Sequence, residues 1–130
     1  MITDNYIKMC EQAEEIQKAN QFKKGDWFKI FNIGEDSFSL TVLSGDGNKK
    51  FITEYLQGFE HIWLPTQEQL QEMIDCDWYK VFCKFLWWYW DSDQNTEEFV
   101  SMFNSMNEVF LAFVMKEKYH KIWTGEKWRG

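Results

Sequence analysis

Ser105-Met106-Asn107-Glu108-Val109-Phe110-Leu111-Ala112-Phe113-Val114-Met115-Lys116-Glu117-Lys118-Tyr119-His120-Lys121-Ile122-Trp123 is the stretch whose reading decides the fold. Ser105 and Glu108 have capping-box spacing, in which each side chain satisfies a backbone donor left free by the first turn. Met106, Phe110, Phe113 and Val114 recur on one helical face. Lys116, Lys118 and Lys121 fall where the helix dipole is negative, and Gly125 can supply a left-handed stop. A helix is predicted here, and the remaining segments are placed around it.

Working outward, Asn95 and Glu98 repeat the capping-box spacing and predict that this helical segment begins near Asn95, with a bend at Asn104 and Ser105. Upstream, Thr66 and Gln69 form another such pair behind Leu64-Pro65, where the residue before proline stays extended. Leu70, Ile74, Trp78, Val81, Phe85 and Trp88 then follow a helical register. One helix over 70–90 fits it, and so do two helices meeting near Asp75-Cys76-Asp77, with Asp77 as cap.

Before Pro65 the apolar period is two. Residues 26–33 are rich in aromatic and β-branched side chains, and Phe38, Leu40 and Val42 alternate with Ser37, Ser39 and Thr41. Asp46-Gly47 within residues 44–48 is a hairpin signal, since such turns require positive φ. Residues 49–54 and 60–64 read as further strands. Residues 3–20 predict a first helix, capped by Thr3 or Asp4, with Tyr6, Met9 or Cys10, Ala13 and Ile16 on its packed side. The expected fold is a single α+β domain over 1–130. It has an N-terminal helix, a three- to four-stranded antiparallel meander, and a C-terminal helical hairpin packed on the sheet.

Composition narrows function. The chain holds 25 aromatic rings in 130 residues, 19%, more than one core of this size requires, so some rings are expected on the surface, where large apolar patches mark partners. The net charge of −7 and a single arginine, Arg129, argue against direct nucleic-acid binding, which uses basic patches and arginine forks. Cys10, Cys76 and Cys83 have no framework spacing and read as reduced thiols. No apolar run is long enough to cross a membrane and the first residues lack a signal-peptide pattern.

No chemical site stands out. Asp91, Asp93 and Asn95 begin like a calcium loop, but Thr96 replaces the glycine and Met102 the bidentate glutamate such a loop needs. Asp75 and Asp77 would point apart on a helix. His61, His120, Cys76 and Cys83 lack zinc spacing, and no nucleophile elbow or phosphate loop is present. The expectation is a protein with no catalytic residue, metal or cofactor.

Leu86-Trp87-Trp88-Tyr89-Trp90 covers every side of a helix. Trp88 belongs to the inward stripe, whereas Trp87 and Trp90 leave it. Either the helix is central and wrapped on all sides, or Trp87 and Trp90 form a surface cluster beside Asp91, Asp93, Glu97 and Glu98. On the second reading these six residues are the candidate partner-binding set.

Two segments carry a resemblance. His61-Ile62-Trp63-Leu64-Pro65-Thr66-Gln67-Glu68-Gln69-Leu70-Gln71-Glu72-Met73-Ile74 is one. Leu111 to Tyr119, continued by Lys121-Ile122-Trp123 and Gly125-Glu126-Lys127-Trp128, is the other. Together they resemble a group of small uncharacterised proteins of phages and prophages of gut bacteria. The resemblance implies a lineage and a bacterial host cytoplasm, and it carries no activity, ligand or catalytic residue. Two functions follow as expectations. The first is a non-catalytic accessory protein acting through protein–protein contact, with homo-oligomerisation open to it. The other is an acidic nucleic-acid mimic that inhibits a host defence nuclease, because the region from Glu68 to Glu98 holds eight acids and two lysines.

Overall fold

Thr3 turns an extended chain into a helix. Its hydroxyl accepts the Tyr6 N–H at 3.0 Å, and α1 runs Asp4–Gln12, with Tyr6, Ile7, Met9 and Cys10 buried. The computed structural model describes residues 2–21, 23–32, 38–42, 59–90 and 101–130. The first helix is not continuous to residue 20 as expected. Ala13, at φ −90° and ψ 80°, breaks it, and α2 resumes over Glu14–Lys18. The break is held by Gln17, whose amide donates to the Cys10 carbonyl at 3.0 Å and to the Trp63 carbonyl at 2.9 Å. Its oxygen accepts the Trp63 N–H at 2.8 Å. Among the described residues Trp63 lies on a strand with β-pairing on one side only, so Gln17 stands in for a missing neighbour and satisfies both backbone groups.

That strand belongs to a three-stranded antiparallel sheet of β1 (Trp27–Asn32), β2 (Phe38–Val42) and β3 (Phe59–Leu64). Trp27 pairs with Val42 on one side and Leu64 on the other, and Phe28 with Thr41 and Trp63. The order is β2-β1-β3. Among the described residues the fold is therefore α+β with an antiparallel sheet, as expected, and β3 lies on the far side of β1 from β2. Central placement suits β1, whose Phe28 is fully buried. The expected hairpin turn at 44–48 and strand at 49–54 lie outside the described residues. α1 lies along β3, where Ile62 and Leu64 are buried, while Leu40 and Val42 on the opposite strand stay exposed.

Thr66 caps α3 (Gln67–Glu72) with the full reciprocal pair: its hydroxyl accepts the Gln69 N–H at 3.2 Å and its own N–H donates to Gln69 Oε1 at 2.8 Å. The other end of the Gln69 side chain donates to buried Asp26 at 2.6 Å, tying the helix start to the entry of β1. α3 stops at Met73, and α4 begins afresh at Trp78 and runs to Trp90. Of the two readings of 70–90, the pair of helices is found. The Asp77 carbonyl accepts the first bonds of α4, from Lys80 at 2.9 Å and Val81 at 3.1 Å.

α5 (Met106–Tyr119) is the central helix. Its six residues from Phe110 to Met115 are all buried, so it packs on every side rather than on the single face that the spacing suggests. α1 and α3 both contact it, and the rings of α4 add to the enclosure. Ser105 caps it, accepting the Glu108 N–H at 3.3 Å, but the Glu108 carboxylate takes the Asn104 N–H at 3.1 Å, so the box is not reciprocal. The left-handed stop falls on His120, at φ 57°, not on Gly125. Gly125, at φ 100°, serves the turn between β4 (Ile122–Trp123) and β5 (Trp128–Arg129), a two-stranded ribbon that begins within the stretch read as helix. Trp123 is buried against Trp128, with ring centroids 5.0 Å apart, and the Trp128 indole donates to the Met9 carbonyl at 2.9 Å. The segment expected to become helical at Asn95 lies outside the described residues up to residue 100. No helix among the described residues is long and apolar enough to cross a membrane.

Candidate interaction surface

The inward residues of α4 are few and well spaced. Val81, Phe85 and Trp88 recur at intervals of four and three, which places them on one face. The Phe85 ring stacks on Phe110 with centroids 4.9 Å apart and planes 4° from parallel, and it meets Phe113 edge-on at 5.4 Å. Trp88 lies 5.6 Å from Phe113. Lys84 and Glu117 add an ion pair at 3.4 Å, exposed and therefore weak. α4 is thus fastened to α5 by one stripe of rings.

Its other face is left in solvent. Trp87 is 73% exposed and Trp90 67%, as the register of the inward stripe predicts. Trp88 is half-buried. The same register places Trp78 on the inward stripe, three residues before Val81, yet as the first residue of α4 it is 78% exposed. Tyr79 and Phe82 also face outward, and so does Cys83. Tyr79 and Cys83 leave the inward stripe by their spacing as Trp87 and Trp90 do, whereas nothing in the spacing marks the exposure of Trp78. Asp91, Asp93, Glu97 and Glu98, the acidic members of the predicted set, lie outside the described residues.

A groove of about 480 Å³ runs between α4 and the start of α5, lined by Leu86, Tyr89, Trp90, Phe103, Met106 and Val109 among others. Its walls are almost wholly apolar. A smaller, polar cavity of about 320 Å³ lies beside Asp26, Trp63, Gln69 and Lys118. The carboxylate there is committed to the fold: one oxygen accepts the Lys23 N–H at 2.8 Å and the other the Gln69 amide.

The groups that could do chemistry are dispersed or enclosed. Cys10 is fully buried, and burial pushes its thiol well above the ordinary value. Burial likewise raises the hydroxyl of Tyr6, which donates to the Pro65 carbonyl. His61 packs edge-on against Phe28 at 6.0 Å, and His120 sits exposed at the helix stop. Asp75 and Asp77 are both exposed, and the Asp77 carboxylate accepts from the Tyr79 hydroxyl at 3.2 Å. Among the described residues no three His, Cys, Asp or Glu side chains come together as metal ligands would. Comparison with family models, with curated proteins and with solved structures returns no match to this chain.

Proposed function

We propose that this chain is a non-catalytic phage or prophage accessory protein of the bacterial host cytoplasm, acting through protein–protein contact at the outer face of α4. The observation that carries the reading is the exposure of Trp78, Phe82, Trp87 and Trp90 on one short helix. Tryptophan is the residue most enriched at binding hot spots, and leaving four large rings in water has no structural benefit to the isolated chain. The lineage rests on the resemblance of the 61–74 and 111–128 segments. Binding to nucleic acid is not part of the proposal, since α4 carries only Lys80 and Lys84 as cations and the chain as a whole is acidic.

The test is capture of a partner from infected host cells by the tagged chain. Trp87→Ala combined with Trp90→Ala is expected to abolish capture while the protein stays folded, and capture by the unaltered chain is expected to resist high salt, because apolar burial is not screened. A second reading, an acidic mimic of nucleic acid directed at a defence nuclease, is favoured by the exposure of Glu68, Glu72, Asp75 and Asp77 along α3 and its exit. It predicts the reverse: steep weakening with salt, and release on neutralising Asp91, Asp93, Glu97 and Glu98 while the tryptophan variant still binds.

A further inference from the structure

The outer face of α4 has a regularity of its own. Tyr79, Cys83, Leu86 and Trp90 are spaced four, three and four, the interval of a helix-pairing seam. Lys80 and Trp87 flank it on one side, Phe82 and Tyr89 on the other. The exposed parts of Tyr79, Phe82, Leu86, Trp87 and Trp90 amount to about 600 Å², taking roughly 150–250 Å² for a whole ring. That stands at the upper end of the largest patch on an ordinary monomer, roughly 300–600 Å², and approaches the roughly 800 Å² each partner contributes to a standard interface.

Resting on the proposed contact function of α4, we infer that its occupant is a second copy of this chain, paired through α4 about an antiparallel two-fold axis. Self-complementarity supports this choice. In an antiparallel pair seam residues meet as Tyr79 with Trp90 and Cys83 with Leu86, each twice by symmetry. The flanks then match like with like on one side, Phe82 against Tyr89, and charge with ring on the other, Lys80 over Trp87. α4 contains no acidic residue, so two copies of a chain of net charge −7 meet at the stretch where their repulsion is least. The antiparallel sense also sets the two helix dipoles in opposition and keeps Asp75 and Asp77 of one copy away from those of the other.

Sedimentation velocity over a wide concentration range reads the association directly. The unaltered chain is expected to form a dimer that persists when salt is raised. Trp87→Ala with Trp90→Ala should raise its dissociation constant at least about 100-fold. Cys83→Arg, a change at an exposed seam position, should do the same and covers the case in which the double variant fails to fold. A short bismaleimide should join two copies through Cys83, and Cys83→Ser should abolish that product. A chain that stays monomeric at high concentration yet captures a foreign protein through Trp87 and Trp90 overturns the self-pairing alone. A dimer indifferent to all these substitutions overturns the self-pairing through α4 and leaves the contact reading to the capture experiment.

Discussion

Thr3 and Glu108, 105 positions apart in the chain, meet at 2.6 Å, the hydroxyl donating to carboxylate Oε2. The same hydroxyl accepts the Tyr6 N–H that opens α1. Ser105 repeats the arrangement at α5: it accepts the Glu108 N–H and donates to the same Oε2 at 3.2 Å. The other oxygen accepts from the Asn5 amide and the Asn104 N–H. Two helix starts therefore end on one buried side chain, and every one of these groups donates to it. Glu108→Ala is expected to cost about 3 kcal/mol, because several buried donors lose their acceptor together. Glu108→Gln should cost less but still destabilise, since an amide nitrogen must face donors. Chemical denaturation measures both, and a midpoint unchanged in Glu108→Ala would show that the two helix starts are not joined there.

Thr66→Ala removes one cap hydroxyl and should lower stability by about 1 kcal/mol. Gln69→Ala should cost more, about 2 kcal/mol, since it also strips a partner from buried Asp26. Equal losses in urea titrations of the two variants would mean that the Asp26 contact contributes nothing.

Much of this architecture is legible in the amino-acid sequence, and what is legible follows a physical pattern. Thr3, Thr66 and Ser105 are local signals: a hydroxyl and an N–H three residues on are brought together by the helix itself. Trp87 and Trp90 can be placed outward because they leave the stripe of Val81, Phe85 and Trp88. Gln17 cannot be read, since its partner Trp63 is 46 positions away and nothing local marks a glutamine as a strand surrogate. Glu108 looks like a solvated first-turn acid until Thr3 and Asn5 are known to lie above it. Trp78 is misplaced by its spacing because a helical period says which face a residue takes but not whether that turn is covered, and Trp78 stands at the first turn of α4. The sheet order is hidden for a related reason, as hydrophobic alternation marks a strand but not which strand it pairs with.

The rings divide into two energetic classes. Trp87→Ala with Trp90→Ala should change stability by no more than about 1 kcal/mol, as surface changes do, measured on the monomer at low concentration. Trp123→Ala removes a buried ring and should cost roughly 3–5 kcal/mol. Loss of folding in the first variant would make those rings core and remove the best residues from the proposed contact.

Acid should loosen the C-terminal ribbon before it unfolds the rest. The hydrogen bond from Lys121 holds the Glu15 carboxyl below its ordinary 4.5, against the upward pull of burial. The folded value lies under the unfolded one, so the stabilisation is complete above the unfolded value and disappears as pH falls through the folded one. Glu15→Gln should therefore match the unaltered protein more closely in acid than at neutral pH, by melting temperature across roughly pH 3–7. A difference that stays constant with pH would contradict the pairing.

Thiol accessibility offers a check on the seating of α1. Where the chain is monomeric, Cys83 should react with a thiol reagent first and half-buried Cys76 more slowly. Cys10 should react only on unfolding, being both enclosed and held as the neutral thiol. Peptide mapping after timed alkylation gives the order, and native modification of Cys10 at the rate of Cys83 would mean that α1 does not sit as described.

The indole of Trp128, bonded to the Met9 carbonyl across 119 positions, has a consequence for how the protein is made. α1 leaves the ribosome before the groups that seat it, Glu108 and Trp128, which are translated long after it. Until then the side chains of Tyr6, Ile7, Met9 and Cys10 have little to pack on, and long-range closure of this kind is slow. A chain released before Trp128 would present that apolar helix to chaperones and proteases, so prematurely terminated products should be cleared rather than accumulate as partly working copies.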